Sequence, residues 1–70
     1  MTSDREEAVE ALTELIAACP EMRIGQLVAN LSYVARGYTQ ESIWDMEDHE
    51  LLAATRRFLE KVRALETAPA

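Results

Sequence analysis

The sequence lacks most of the residues with which small proteins reinforce a fold. Among its 70 residues it has one cysteine, one histidine, two glycines and two prolines. A single cysteine excludes a disulfide within the chain, and a structural zinc ion, which takes four ligands drawn mainly from Cys and His, has too few donors. The longest apolar run is a few residues, against the roughly 20 that a membrane-spanning helix needs. The chain therefore depends on side-chain packing, and we expect no membrane partner.

Catalytic motifs are also missing. The sequence contains no Gly-rich phosphate loop and no Ser-His-Asp set. Cys19 and His49 form the one nucleophile and base pair worth weighing, and nothing in the sequence places them side by side. Cys19 falls on an apolar stripe, where a free cysteine commonly behaves as a small buried hydrophobe. We therefore expect no enzyme activity, no catalytic residue and no cofactor, and a Cys19-dependent enzyme is the least favoured hypothesis.

Positive charge is scarce as well. Seven Lys and Arg stand against 13 Asp and Glu, which gives a net charge of -6. Binding to a phosphate backbone draws its affinity from clusters of Lys and Arg, so this balance disfavours nucleic acid as a partner. The first ten residues are polar and acidic, whereas a secretory signal needs a basic start and then an apolar stretch. With one free thiol, we expect a cytoplasmic protein.

What the chain does have is the 3.6-residue periodicity of helices. This period predicts a single compact all-α domain over residues 1–70, with three helices at about residues 4–19, 22–36 and 45–64 and frayed ends at about residues 1–3 and 66–70. Ser3 and Glu6 have the spacing of a capping box, and Pro20 ends the first helix. Gly37 stands where a C-terminal cap would lie. Such a small chain buries only about 60% of its unfolded surface, so self-association would help to stabilise it.

The second predicted helix carries two columns besides its apolar face. A polar column has Arg23, Gln26, Asn30 and Tyr33 at positions i, i+3, i+7 and i+10. A ridge of small residues consists of Gly25, Ala29 and Ser32, along which another backbone could pack closely. Three interpretations of the polar column remain open: a solvated face, hydrogen bonds to the loop around Trp44, or a surface for a partner.

An acidic cluster marks the start of the third predicted helix. It comprises Asp45, Glu47, Asp48 and Glu50, together with His49. Asp45 and His49 lie at i, i+4 and share a helix face, but two ligands make a poor metal site. Carboxylates near a helix N-terminus are explained by the helix dipole. We therefore expect no metal site here, and we group Asp48 with the polar column and Trp44 as residues that either contact a partner or hold the loop.

Two blocks of sequence carry a resemblance. Residues 23–30 (RIGQLVAN) and residues 43–51 (IWDMEDHEL) resemble a group of small bacterial proteins of unknown function. Those proteins share an Arg-x-Gly-Gln-Leu-x-x-Asn block followed by an aromatic residue, an acidic pair and Glu-Leu. The resemblance covers about half of the chain and implies a bacterial source but no activity. The positions that match are Arg23, Gly25, Gln26, Asn30, Trp44, Asp48 and Glu50.

Taken together, these features predict a non-catalytic, protein-binding or self-associating helical module. The ridge of small residues offers one route to association, and Trp44 offers another, because tryptophan is enriched among interface hot spots. The alternative is a small acidic inhibitor of the immunity or antitoxin kind. That alternative requires the first turns of the first and third predicted helices to present their carboxylates on one surface, facing a basic partner protein.

Overall fold

The computed structural model describes residues 2–37 and 39–67, with side chains as far as residue 65. These residues form four helices, α1 (Asp4–Ala18), α2 (Ile24–Ala35), α3 (Gln40–Asp45) and α4 (Asp48–Thr67). No strand occurs within residues 2–37 and 39–67, which confirms the all-α prediction.

The number of helices differs from the three predicted. The additional helix, α3, lies between the second and third predicted helices and overlaps the third at Asp45. Six residues are too few to show a 3.6-residue period, which is why the pattern missed it. The last helix, α4, begins at Asp48 and continues to Thr67, so its backbone includes residues expected to fray. Residues 1 and 68–70, also expected to fray, lie outside the described residues.

Local capping sets the ends of the first two helices. The Ser3 side chain accepts the Glu6 N–H at 3.2 Å, as its spacing predicts. At the C-terminal end of α2, Gly37 has a φ of 123° and donates its N–H to the Ser32 carbonyl at 3.1 Å. Only glycine takes this backbone conformation without strain, and it lets the chain turn away from α2.

Two ion pairs show that α1 and α4 run parallel. Arg56 donates to Glu7 at 3.1 Å, and Arg63 donates to Glu14 at 2.9 Å. The two pairs are seven residues apart on each helix, so the helices keep the same direction and register. Helix α2 runs the opposite way, because the Arg36 side chain just past its end meets Glu50 in the first turn of α4.

Helix α4 is the centre of the fold. It packs on α1 and, less extensively, on α2, while α1 and α2 make little contact with each other. Buried side chains form two clusters around it: Leu15, Leu27, Leu31, Ala54 and Leu59 in one, and Ala8, Ala11 and Leu52 in the other. Within the described residues, none of the helices is long and apolar enough to cross a membrane.

The position of α2 corrects one detail of the predicted core. The apolar period of α1 places Val9 and Ile16 on its buried face, yet they are 58% and 36% exposed. Ala8, which the same period places on this face, is buried, and together with Ala11 it faces Leu52 of α4. Because α2 does not cover the neighbouring flank of α1, Val9 and Ile16 remain in contact with water.

Candidate protein-binding surface

A bidentate ion pair closes the corner between α2 and α4. Arg36 Nε donates to Glu50 Oε2 at 2.7 Å, and Arg36 Nη2 donates to Glu50 Oε1 at 3.0 Å. Glu50 Oε1 also accepts the backbone N–H of Glu47 at 3.1 Å, which caps the N-terminus of α4. One carboxylate therefore fixes both ends of the segment that contains α3. We call this arrangement the Arg36–Glu50 clasp.

The clasp changes the titration of both partners. The hydrogen bond from Arg36, and then the one from the Glu47 N–H, lower the pKa of Glu50 below its ordinary value. The same contact raises the pKa of Arg36, and the field of Asp45 adds to that effect. Both side chains stay charged across the neutral range, so the clasp holds under those conditions.

Helix α3 is closed at its own N-terminus. Thr39 Oγ1 accepts the Ser42 N–H at 3.1 Å, and the Thr39 and Ser42 hydroxyls lie 2.7 Å apart. None of the six residues of α3 is buried. The helix is thus held by its cap, by the clasp and by contact with α2, and it contributes no buried side chain to the core.

The exposed residues of α3 are apolar as well as acidic. Trp44 is 89% exposed and Ile43 is 44% exposed. Glu41 and Asp45 line a shallow depression together with Gln40 and Trp44. Trp44 is therefore neither part of α4 nor part of the core, and it lies in the helix α3 where the sequence predicted a loop. We refer to Ile43, Trp44, Glu41 and Asp45 as the α3 surface.

The polar column of α2 has an internal contact that sequence reasoning missed. Gln26 Oε1 accepts the backbone N–H of Arg23 at 3.0 Å and so caps the N-terminus of its own helix. Asn30 is half-buried, and Tyr33 is 56% exposed. The spacing of Arg23 and Gln26, three residues apart, is the signal that could have predicted this cap.

The predicted ridge of small residues does not form one continuous exposed surface. Ser32 is 2% exposed and belongs to the interior, and within the described residues its hydroxyl has no hydrogen-bond partner. Ala29 is half-buried. Gly25 lies in open space, because apart from its chain neighbours and the backbone of its own helix no described atom would come within 4 Å of a Cβ added there. Gly25 and Ser32 therefore sit in different surroundings.

The acidic cluster at the start of α4 is accounted for by capping. Glu47, His49 and Glu50 offer ligand atoms within 4.8 Å of one another. The Glu50 carboxylate is already engaged with Arg36 and with the Glu47 N–H, which gives it a structural role at this position. Asp48 is exposed in the first turn of α4, where its charge complements the helix dipole.

A second exposed apolar feature lies along α4. Phe58, Val62 and Leu65 on α4 and Val34 on α2 line a groove of about 260 Å³, with Arg57 and Lys61 beside them. Leu65 is 78% exposed. We call this feature the α4 groove. Its α4 residues follow the i, i+4, i+7 spacing of one helix face, but sequence spacing alone could not show that α2 leaves this face partly uncovered.

No protein family model, curated protein or solved structure matches the chain.

Proposed function

We propose that this protein is a non-catalytic protein-binding module of the cytoplasm, and that its contact surface is the α3 surface. The observation that carries the proposal is the 89% exposure of Trp44. Tryptophan is the chain's largest side chain and occurs once. Leaving it in water forgoes burial of a large apolar side chain, and tryptophan is among the residues most enriched at interface hot spots.

The way α3 is held supports this proposal. The Arg36–Glu50 clasp and the Thr39 cap fix a six-residue helix that buries no side chain of its own. A surface that is already ordered loses little conformational entropy when a partner binds. The clasp and the cap thus hold the backbone from which Trp44 projects.

The charges on α3 define the kind of partner. Glu41 and Asp45 lie beside the exposed Trp44 in one shallow depression, and the exposed Ile43 is its neighbour in the chain. A complementary partner has an apolar pocket bordered by Lys or Arg, because matched charges at the rim of an interface favour association and correct orientation. The same acidic surface disfavours nucleic acid.

The alternative, an acidic inhibitor of a basic protein, has one specific observation in its favour. Because α1 and α4 run parallel, their first turns lie at the same end of the molecule. Asp4, Glu47 and Asp48 line one shallow depression there, together with Ser3, Arg5 and His49. This satisfies the requirement that both first turns present carboxylates on one surface.

Affinity capture separates the two functions. Tagged wild-type protein should retain a partner from extracts of its source cells, and Trp44→Ala should lose it. Ile24→Ala is the matched control, since Ile24 is an exposed apolar residue on α2, 58% exposed. Capture that survives Trp44→Ala, but fails at high salt and in the Asp4→Asn, Asp48→Asn double variant, would support the inhibitor. Equal capture by all variants would contradict both proposals.

A further inference from the structure

We propose that the partner of the α3 surface is a second copy of this chain, whose α4 groove receives Ile43 and Trp44. The inference rests on the proposed function and identifies its partner. Each copy then donates its α3 surface and accepts that of the other. The contact is made twice in a dimer with two-fold symmetry.

The size and lining of the α4 groove fit an anchoring side chain. Its volume of about 260 Å³ is below the roughly 300–1,000 Å³ usual for small-molecule sites. Phe58, Val62 and Leu65 give it an apolar floor, on which an aromatic ring from outside would find contacts. The groove is not filled by the tryptophan of its own chain, because Trp44 is 89% exposed.

The charges of the two surfaces match in sign and in spacing. Glu41 and Asp45 stand at i and i+4 on α3, and Arg57 and Lys61 stand at i and i+4 on α4. Residues with this spacing lie about 5–6 Å apart on a helix, so two acidic groups face two basic groups at the same separation. Among the described residues, none of these four side chains forms an ion pair.

The match is specific to this pair of surfaces. Of the other five arginines, Arg36, Arg56 and Arg63 are engaged in ion pairs with Glu50, Glu7 and Glu14, and Arg5 and Arg23 do not line the α4 groove. Arg57 and Lys61 therefore form the basic pair that borders an apolar groove. In a chain with a net charge of -6, such a pair attracts an acidic segment of a second copy.

The first experiment measures mass against concentration. Sedimentation of the purified full chain should give a dimer, twice the 7.9 kDa of one chain, that dissociates on dilution. Trp44→Ala should weaken the dimer roughly tenfold or more, as truncation of a hot-spot residue does. The emission of the single tryptophan should shift to shorter wavelength as the dimer forms, because the ring leaves water.

Charge reversal gives the decisive test. One variant carries Glu41→Lys and Asp45→Lys on the α3 surface, and a second carries Arg57→Glu and Lys61→Glu beside the α4 groove. Each variant alone should be monomeric, since like charges meet in both contacts. Mixed together they should form a heterodimer, because both of its contacts then pair opposite charges. Net charge does not drive this mixing, as both variants remain negative.

A matched control carries Glu10→Lys and Glu21→Lys, two exposed acidic positions outside both surfaces. It has the same net charge as the α3 variant and should dimerise like the wild type. Circular dichroism tests whether each variant is folded. Formation of the heterodimer on mixing is a second, independent test of folding.

Every other outcome overturns the inference. A wild type that stays monomeric at millimolar concentration excludes the dimer. A mass that continues to rise beyond that of a dimer as the concentration increases excludes a closed dimer with two-fold symmetry. If either charge-reversed variant dimerises by itself, the dimer contact lies outside the α3 surface and the α4 groove. The proposed function fails separately: it survives these results if Trp44→Ala still loses a captured partner, and it fails if Trp44→Ala captures as the wild type does.

Discussion

The α1–α4 interface and the corner that contains α3 are held together by different means. At the interface, buried leucine and alanine side chains meet along two parallel helices, and the ion pairs lie outside at the surface. At the corner, a bidentate ion pair and two helix caps hold a helix with no buried residue. The interface therefore provides stability, whereas the corner provides an ordered exposed surface.

This difference separates the residues that stabilise the 70-residue fold from those that stay exposed on its surface. Apolar burial is the main favourable term in folding, so residues that the core needs cannot also be exposed to a partner. Polar contacts contribute less stability but fix geometry. The chain places its only tryptophan where geometry is fixed and burial is absent.

The largest effect should come from truncating the core. Leu31 is 0% exposed, and Leu31→Ala should lower the free energy of unfolding by about 2–5 kcal/mol, through lost burial and the cavity left behind. Ile24→Ala on the same helix, where the side chain is 58% exposed, should cost much less. Urea denaturation followed by circular dichroism measures both. Equal losses of unfolding free energy in the two variants would contradict the assignment of Leu31 to the core and of Ile24 to the surface.

A smaller and more local effect should follow from opening the clasp. Arg36→Ala removes both hydrogen bonds to Glu50, so amide hydrogen exchange should accelerate in residues 39–47 and change little in α1. Arg63→Ala is the control, because it removes an exposed ion pair at the α1–α4 interface and such pairs contribute little. Unchanged exchange in residues 39–47 would show that the clasp does not order α3.

The clasp should also be sensitive to acid. Because Arg36 lowers the pKa of Glu50 in the folded protein, the stabilisation is complete above the ordinary glutamate pKa of about 4.3 and is lost as pH falls through the lowered folded-state pKa. The wild type should therefore lose stability more steeply than Glu50→Gln as the pH falls below about 5. Thermal melts of both proteins across this range test the difference. An equal loss of thermal stability with falling pH in the two proteins would contradict this prediction.

The fold was largely predictable because its helices are long enough to show a period. The 3.6-residue pattern located α1 and α2 to within about two residues, and Ser3 and Gly37 marked two of their ends. The pattern gave too early a start for the last helix, because acidic residues favour a helix N-terminus over several positions. The same pattern predicted that Val9 and Ile16 are buried. That prediction was wrong, because no sequence signal reports which side of α1 is covered by α2.

The candidate surface was predictable only in part. Trp44 attracted attention by its residue type, but its exposure depends on α3, which is too short to produce a periodic signal. Arg36 and Glu50 are 14 residues apart, a separation that carries no local pattern. The α4 groove likewise results from the relative placement of two helices. Long-range contacts of this kind need the three-dimensional structure.

The smallest effects should distinguish two residues of the polar column of α2. Gln26→Ala removes the hydrogen bond to the Arg23 N–H and should lower the free energy of unfolding by about 0.5–1.5 kcal/mol. Asn30→Ala should be neutral or slightly stabilising, because no described hydrogen bond is lost and alanine is the better helix former. Precise thermal melts of the two variants test this contrast. If Asn30→Ala lowered the free energy of unfolding more than Gln26→Ala, Asn30 would make a stabilising contact within the protein. Polar contacts that hold exposed structure would then occur along α2 as well as at the corner.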